Sequence, residues 1–199
     1  MIAATGNKGK IKEIKEIFKD EDILSLKDVG VKVEVEEDCD SFYGNALKKA
    51  KETYEVLKEA VIADDSGLCI TELNGFPGVE THRFLGEDAS DVERNNYLIN
   101  MANGLKNRSA QMICVIVYYD GENTIVGEGI LDGKISLERR GKNGFGFDEI
   151  FELENGKTLA ELTTEEKNRI SARKLALEEV KVKLDGLSCD KSGVKVKSL

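Results

Sequence analysis

The chain has 199 residues, 40% of them hydrophobic and 34% charged, with a formal net charge of −9. That length allows one large domain or two tightly joined lobes. So acidic a chain is a poor binder of nucleic-acid backbones; a polymer partner is not expected, and a small anionic ligand held by clustered lysines and a metal is. No apolar run approaches the roughly 18 residues a membrane span needs, and no leader segment is expected. Cys39, Cys69, Cys114 and Cys189 form no CxxC pair, and the single His82 cannot complete a zinc set with them. Cys69 and Cys114 lie in apolar runs and read as core thiols, so a reducing cytoplasm is the expected location.

In chain order, residues 1–5 read as a buried strand closed by Gly6. Residues 8–20 carry Ile11, Ile14, Ile17 and Phe18 at helical spacing, with Asn7 as N-cap. Residues 30–36 alternate Val31, Val33 and Val35 with charged residues, which predicts a half-buried strand, followed by the acidic knot Glu36, Glu37, Asp38 and Asp40. A second helix is expected over 42–59, with Ala46, Ala50, Tyr54 and Leu57 on one face. A short strand over 61–63 ends at Asp64-Asp65-Ser66-Gly67, and a loop over 75–87 holds Pro77. Residues 90–101 read as a helix capped by Ser90. Residues 111–119 and 124–131 are apolar strands joined by an Asp120-Gly121 hairpin. The glycine-rich stretch 141–146 leads into Phe147 to Phe151. Thr163-x-x-Glu166 is a capping box opening a final helix with Ile170, Leu177, Val180 and Leu184 on one face. The expected division is one domain over 1–185 and a polar tail over 186–199. The fold class is α/β with a mixed sheet.

Five features could carry chemistry. Thr5-Gly6-Asn7-Lys8-Gly9-Lys10 places two lysines in a helix first turn, where they oppose the dipole; a phosphate at that turn removes the conflict, while a solvated helix is the plain alternative. It is not a Walker A loop. The acidic knot offers hard oxygens for magnesium, or a solvated turn. Asp64-Asp65 after a buried strand places two carboxylates where like charges repel unless a cation or proton intervenes. Gly67 is read as a turn residue that keeps Ser66 pointed inward. Gly144-Phe145-Gly146-Phe147-Asp148 offers a flat face for a purine and Asp148 to read its edge, or an aromatic turn in the core. Lys167 and Arg173 on the last helix supply cations, Arg173 with a fork suited to a carbonyl or phosphate.

Their joint order closely resembles the inosine triphosphate pyrophosphatase family. The resemblance runs through Thr5-x-Asn7-x-x-Lys10-x-x-Glu13, Ser41-Phe42-x-x-Asn45-Ala46-x-x-Lys49-Ala50 and Ala63-Asp64-Asp65-Ser66-Gly67-Leu68. It continues through Gly144-Phe145-Gly146-Phe147-Asp148 and Glu165-Glu166-Lys167-Asn168-x-x-Ser171, covering about residues 1 to 184. It implies a two-lobed fold with a long twisted mixed sheet, flanking helices and a nucleotide cleft between the lobes. It also implies a homodimer, a magnesium requirement, and cleavage of ITP, dITP and XTP to the monophosphate and pyrophosphate. By resemblance, Thr5, Gly6, Asn7, Lys8, Gly9 and Lys10 hold the triphosphate, and Asp65 is the catalytic base or metal ligand. Glu37 would be a second metal ligand. Ser66, Phe145, Gly146, Phe147, Asp148, Lys167, Ala172 and Arg173 would contact the nucleotide. The family usually carries histidine where this chain has Ala172, which bears on base discrimination. A Maf-like pyrophosphatase of other base preference and a non-catalytic nucleotide-binding module are the alternatives.

Overall fold

The computed structural model of the chain describes residues 1–86 and 88–192, with side chains as far as residue 187. Its sheet has six strands in the order β2-β1-β3-β4-β5-β6. Strand β1 (Ile2–Ala3) lies parallel to both β2 (Leu24–Ser25) and β3 (Val61–Ile70). Strands β4 (Ser109–Tyr119), β5 (Thr124–Ile135) and β6 (Phe151–Glu152) complete the sheet antiparallel. The β4–β5 hairpin turns at Gly121 (φ +97°), with Asp120 Oδ1 accepting from the Glu122 and Asn123 amides. This is the mixed α/β sheet expected from the sequence.

The period-2 alternation of the long strands sorts side chains onto two faces. Ile62, Cys114 and Ile116 pack against α1 (Lys8–Ile17) and α5 (Ala172–Ser192). Val61, Ala63, Val115 and Val117 pack against α2 (Phe42–Leu57). The far ends of the same strands meet α3 (Asp91–Ala102) in a third cluster of Leu68, Ile70, Leu98, Phe147 and Phe151. Two lobes therefore share one sheet, and the cleft between them opens beside the middle of β3.

Helix α5 lies directly on β5 because β5 carries glycines where the helix crosses. A Cβ at Gly129 would stand 1.9 Å from the Ala172 carbonyl oxygen, and one at Gly127 would stand 2.2 Å from that of Ala176. Backbone cannot yield as a side chain can. Gly129→Ala is therefore expected to lower unfolding free energy by about 3 kcal/mol, the upper end for overpacking. Urea denaturation reads this, and an unchanged midpoint would show that the helix can slide.

Five sequence expectations need correction. Residues 30–36 form no strand: Val31, Val33 and Val35 are half-buried and their neighbours exposed, as the alternation predicts, but the segment runs beside a cleft rather than pairing in the sheet. Strand β3 does not end at Ala63 but runs through the aspartates to Ile70, held by β4 along its whole length. Gly67 is accordingly no turn residue; it is mid-strand, and a Cβ there would strike Thr81 Oγ1 at 2.4 Å and Gly78 O at 2.5 Å. The last helix is two helices, α4 (Thr164–Ile170) and α5, broken where Ser171 turns extended and its Oγ accepts from the Lys174 amide at 3.1 Å. A serine side chain competes for helical amides and favours such caps. Helix α5 continues past Gly186 to Ser192, and the rest of the expected tail, 193–199, lies outside the described residues. No helix of the described residues is long and apolar enough to cross a membrane.

Candidate active site

The turn from Thr5 to Lys10 leads from β1 into α1, as the sequence reading requires. Its hydrogen bonds are closed locally. Asn7 Oδ1 accepts from Gly9 N (2.8 Å) and Lys10 N (3.3 Å), and Thr5 Oγ1 accepts from Asn7 N (3.2 Å). A phosphate at this turn must compete with the Asn7 cap for those amides. Gly6 and Lys8 are exposed at the rim, whereas Lys10 turns inward to Asp64, 2.8 Å away.

Asp64 and Asp65 are adjacent in β3, so they point to opposite faces of the sheet. Asp64 faces α1 and α5, between Lys10 and Arg173. Burial pushes its carboxyl upward, but Lys10, Arg173 and Lys49 overcome that and hold it well below the usual carboxylate range. Asp65 faces α2. Its Oδ2 accepts from Asn45 Nδ2 at 2.9 Å and its Oδ1 from the Ser66 amide at 3.0 Å, with Lys49 Nζ at 3.9 Å. Burial, with the charges of Glu37 and Asp64, raises Asp65 from 3.8 to about 6, against the opposing pull of Lys49 and Asn45. The sheet thus separates two chemically identical neighbours into a permanent anion and a group that ionises near neutrality.

Of the acidic knot, Glu37 turns to this cleft and meets Lys49 Nζ at 2.8 Å, while Asp38 pairs with Lys48. Lys49 therefore bridges Glu37 and Asp65. The carboxylates around it raise its pKa despite burial, which keeps it protonated. Thr5, Gly6, Glu37, Lys49 and Asp64 line this polar cleft.

A second cavity adjoins it at Lys10, which lines both. Its floor is apolar, with Met112, Leu131 and Leu159, and Ser66, Phe145, Asp148, Lys167, Ala172 and Arg173 surround it. Phe147 is mostly core, stacked on Phe84 at 6.3 Å. Asp148 is 2% exposed; its Oδ2 accepts from the Phe145 amide at 2.8 Å and from Lys167 Nζ, so it fixes the aromatic turn. The Lys167 ammonium sits 4.5 Å from the centre of the Phe145 ring. Arg173 directs its fork into the protein: Nε to Asp64 (3.4 Å), Nη1 to Glu13 (3.1 Å) and Nη2 to Ser66 Oγ (3.2 Å).

A polar cleft with carboxylates joined through one lysine to an apolar cavity with an aromatic wall suits a triphosphate joined to a flat base. Comparison with known proteins agrees. The model of the Ham1 family matches residues 1–183. The chain belongs to the Ham1 family. Among curated Ham1-like relatives, a dITP/XTP pyrophosphatase of Clostridium tetani is 41% identical over 198 residues, covering 96% of this chain and 98% of that one. The Ham1 protein of Staphylococcus aureus superposes with a TM-score of 0.87 at 36% identity, over 94% of this chain and 98% of the other. A HAM1 protein of Coxiella burnetii gives 0.86 at 35% identity, over 93% and 98%.

The Ham1 chain brings the predicted residues into or beside two adjoining clefts, with Lys8 at the exposed rim and Arg173 largely buried in the wall of the apolar one. Sequence reasoning left Asn45, Lys49, Glu13, Asp91 and Asn95 unassigned. Asn45 and Lys49 carried a readable signal: polar residues beside Ala46 and Ala50, on a face that otherwise packs into the core.

Proposed function

We propose that this chain hydrolyses deaminated purine nucleoside triphosphates, ITP, dITP and XTP, to the monophosphate and pyrophosphate. The observation that carries this is the pairing of the two clefts across Lys10, with Asp65 poised near neutrality beside Lys49 of the polar one. The names of the relatives support the substrate class, and Ham1 membership favours it over the Maf-like alternative. The relatives named are enzymes, which favours it over a non-catalytic binding module.

The donor set fits magnesium. Glu37 and Asp65 are hard oxygen ligands converging on one cation, Lys49, and magnesium takes one or two carboxylates with water and phosphate completing its shell. Among the described residues there is no cluster of three or more histidines, cysteines or carboxylates that could hold a metal ion. When bound, magnesium neutralises phosphate oxygens and acidifies water. Asp65, mostly ionised at pH 7, accepts the proton of the water attacking the α-phosphorus. Asn45 and the Ser66 amide fix its two oxygens for that task. Lys10 neutralises the chain of phosphates where it passes between the clefts, and Lys49 and the α1 turn hold the departing pyrophosphate. Phe145 stacks on the base, with Lys167 and Asp148 at its edge. The working form is a homodimer in the cytoplasm, acting on a free nucleotide.

Turnover in ¹⁸O-labelled water tests the reaction. Label is expected in the monophosphate; label in pyrophosphate or in inorganic phosphate would place the attack elsewhere. Chelation is expected to abolish turnover and added magnesium to restore it, as a pyrophosphate-release assay reads; undiminished rate in excess chelator would remove the metal from the account. Ala172 is buried at the cavity wall. Ala172→His places a donor there and is expected to raise the ITP-to-ATP ratio of kcat/KM about 10-fold, the value of one hydrogen bond made to a 6-keto group and not to a 6-amino group. An unchanged ratio would place base reading on other residues.

A further inference from the structure

Helix α3 carries Asp91 and Asn95 one turn apart, and both side chains reach the same residue of the aromatic turn. The Gly146 amide donates to Asp91 Oδ2 at 2.9 Å, and the Gly146 carbonyl accepts from Asn95 Nδ2 at 3.0 Å. Both backbone polar groups of one glycine are thus held by one helix. Gly146 has φ +61°, a left-handed conformation favoured by glycine. On its two sides the aromatic rings part: Phe147 is buried in the core, and Phe145 is 44% exposed at the cavity. Asp91 lines that same cavity.

The plain reading of Asp91 is an acid in a helix first turn, worth about 0.3–1 kcal/mol against the dipole. It does not account for the bond to a glycine 55 residues away. Asn95 is 1% exposed, and its Oδ1 has no hydrogen-bond partner among the described residues. Leaving such an acceptor unpaired costs about 1–3 kcal/mol. An amide tolerated there at that cost has a purpose in the one bond its nitrogen makes.

We propose that Asp91 and Asn95 are positioning residues for base recognition, clamping the Gly146 peptide so that the Phe145 ring faces the bound base. This rests on the reading of the apolar cavity as the base site. It assigns α3, which supplies no stacking group of its own, the task of holding the stacking ring at a fixed angle. The gain is preorganisation: a ring already in place loses little entropy when the base arrives.

The test is steady-state kinetics with ITP in saturating magnesium for Asp91→Ala, Asp91→Asn, Phe145→Ala and the Asp91→Ala/Phe145→Ala double variant, each with its melting temperature. Asp91→Ala is expected to raise KM about 10-fold, on the scale of one aromatic pair, with kcat within about twofold. Asp91→Asn keeps an acceptor oxygen for the Gly146 amide and is expected to restore most of the affinity. In the Phe145→Ala background, Asp91→Ala is expected to add less than about twofold, because the ring it positions is gone. A full 10-fold effect in that background, an unchanged KM with a lowered melting temperature, or failure of Asp91→Asn to rescue would each overturn the clamp. A wild type that releases no pyrophosphate from any purine triphosphate would instead sink the base-site reading itself, and the clamp with it.

Discussion

Asp65→Asn is expected to lower kcat for ITP by about three orders of magnitude, within the range for losing a general base. The reasoning starts from the strand. Asp64 and Asp65 alternate across β3: Asp64 is tied to Lys10 and Arg173, while Asp65 lies within ion-pair distance of Lys49, which also holds Glu37. Burial and its acidic neighbours lift its pKa from 3.8 to about 6, so at pH 7 it is ionised yet more basic than an ordinary aspartate. The fold of the variant should persist, because two effects oppose. An asparagine amide would face the Asn45 amide, and Asn45 cannot rotate freely, since its Oδ1 accepts from the Cys39 amide at 3.0 Å. Against that, the variant removes a carboxylate whose ionisation the fold disfavours. The sign follows from the raised pKa: the unfolded chain gives up this proton near 3.8 and the folded chain near 6. Asp65 therefore reduces stability as pH rises through that window, and the cost is fully present at pH 7. Circular dichroism melting at pH 7 is expected to move by only a few degrees. Rapid turnover by a folded variant would remove Asp65 from the base role.

Arg173→Met is expected to lower unfolding free energy by about 3–5 kcal/mol, the loss typical when one member of a buried ion cluster is removed. Arg173 is 9% exposed and binds Asp64, Glu13 and Ser66 at once. Methionine fills the volume but leaves Glu13 unpaired and Asp64 with Lys10 as its near cation. Lys10 is then tied more tightly to Asp64 and less free for phosphate, so KM should rise as well. Adding Asp64→Asn removes one of the stranded charges and is expected to recover part of the stability. Urea unfolding of the single and double variants measures both effects. A single variant as stable as the wild type would show that the cluster contributes nothing net.

Much of this site was legible in the sequence. Asp64-Asp65, the Thr5–Lys10 turn and the Gly144–Asp148 stretch each stand out locally, through adjacent like charges, lysines at a helix start, and aromatics between glycines. What local pattern could not give was direction. Adjacent aspartates read as one repelling pair, because the local pattern ends the strand at Ala63; its extension to Ile70 depends on pairing with β4, which lies about 50 residues further along the chain. The valine alternation of 31–35 correctly anticipates half-burial and says nothing about whether a partner strand is at hand. Arg173 offered the right chemistry for a ligand, but its engagement by Glu13 and Asp64 is a long-range fact. Asp91 and Asn95 look like ordinary helix polar residues until Gly146 is placed against them.

The most direct test of the central claim is kcat/KM for pyrophosphate release, in magnesium, from ITP, dITP, XTP, ATP, GTP and dTTP. The account predicts that the first three exceed the others by about 100-fold: a site that hydrogen-bonds a 6-keto group leaves adenine's 6-amino group unpaired, and a repulsive contact with guanine's 2-amino group excludes GTP. Similar rates from all six nucleotides, or release from none, would contradict it.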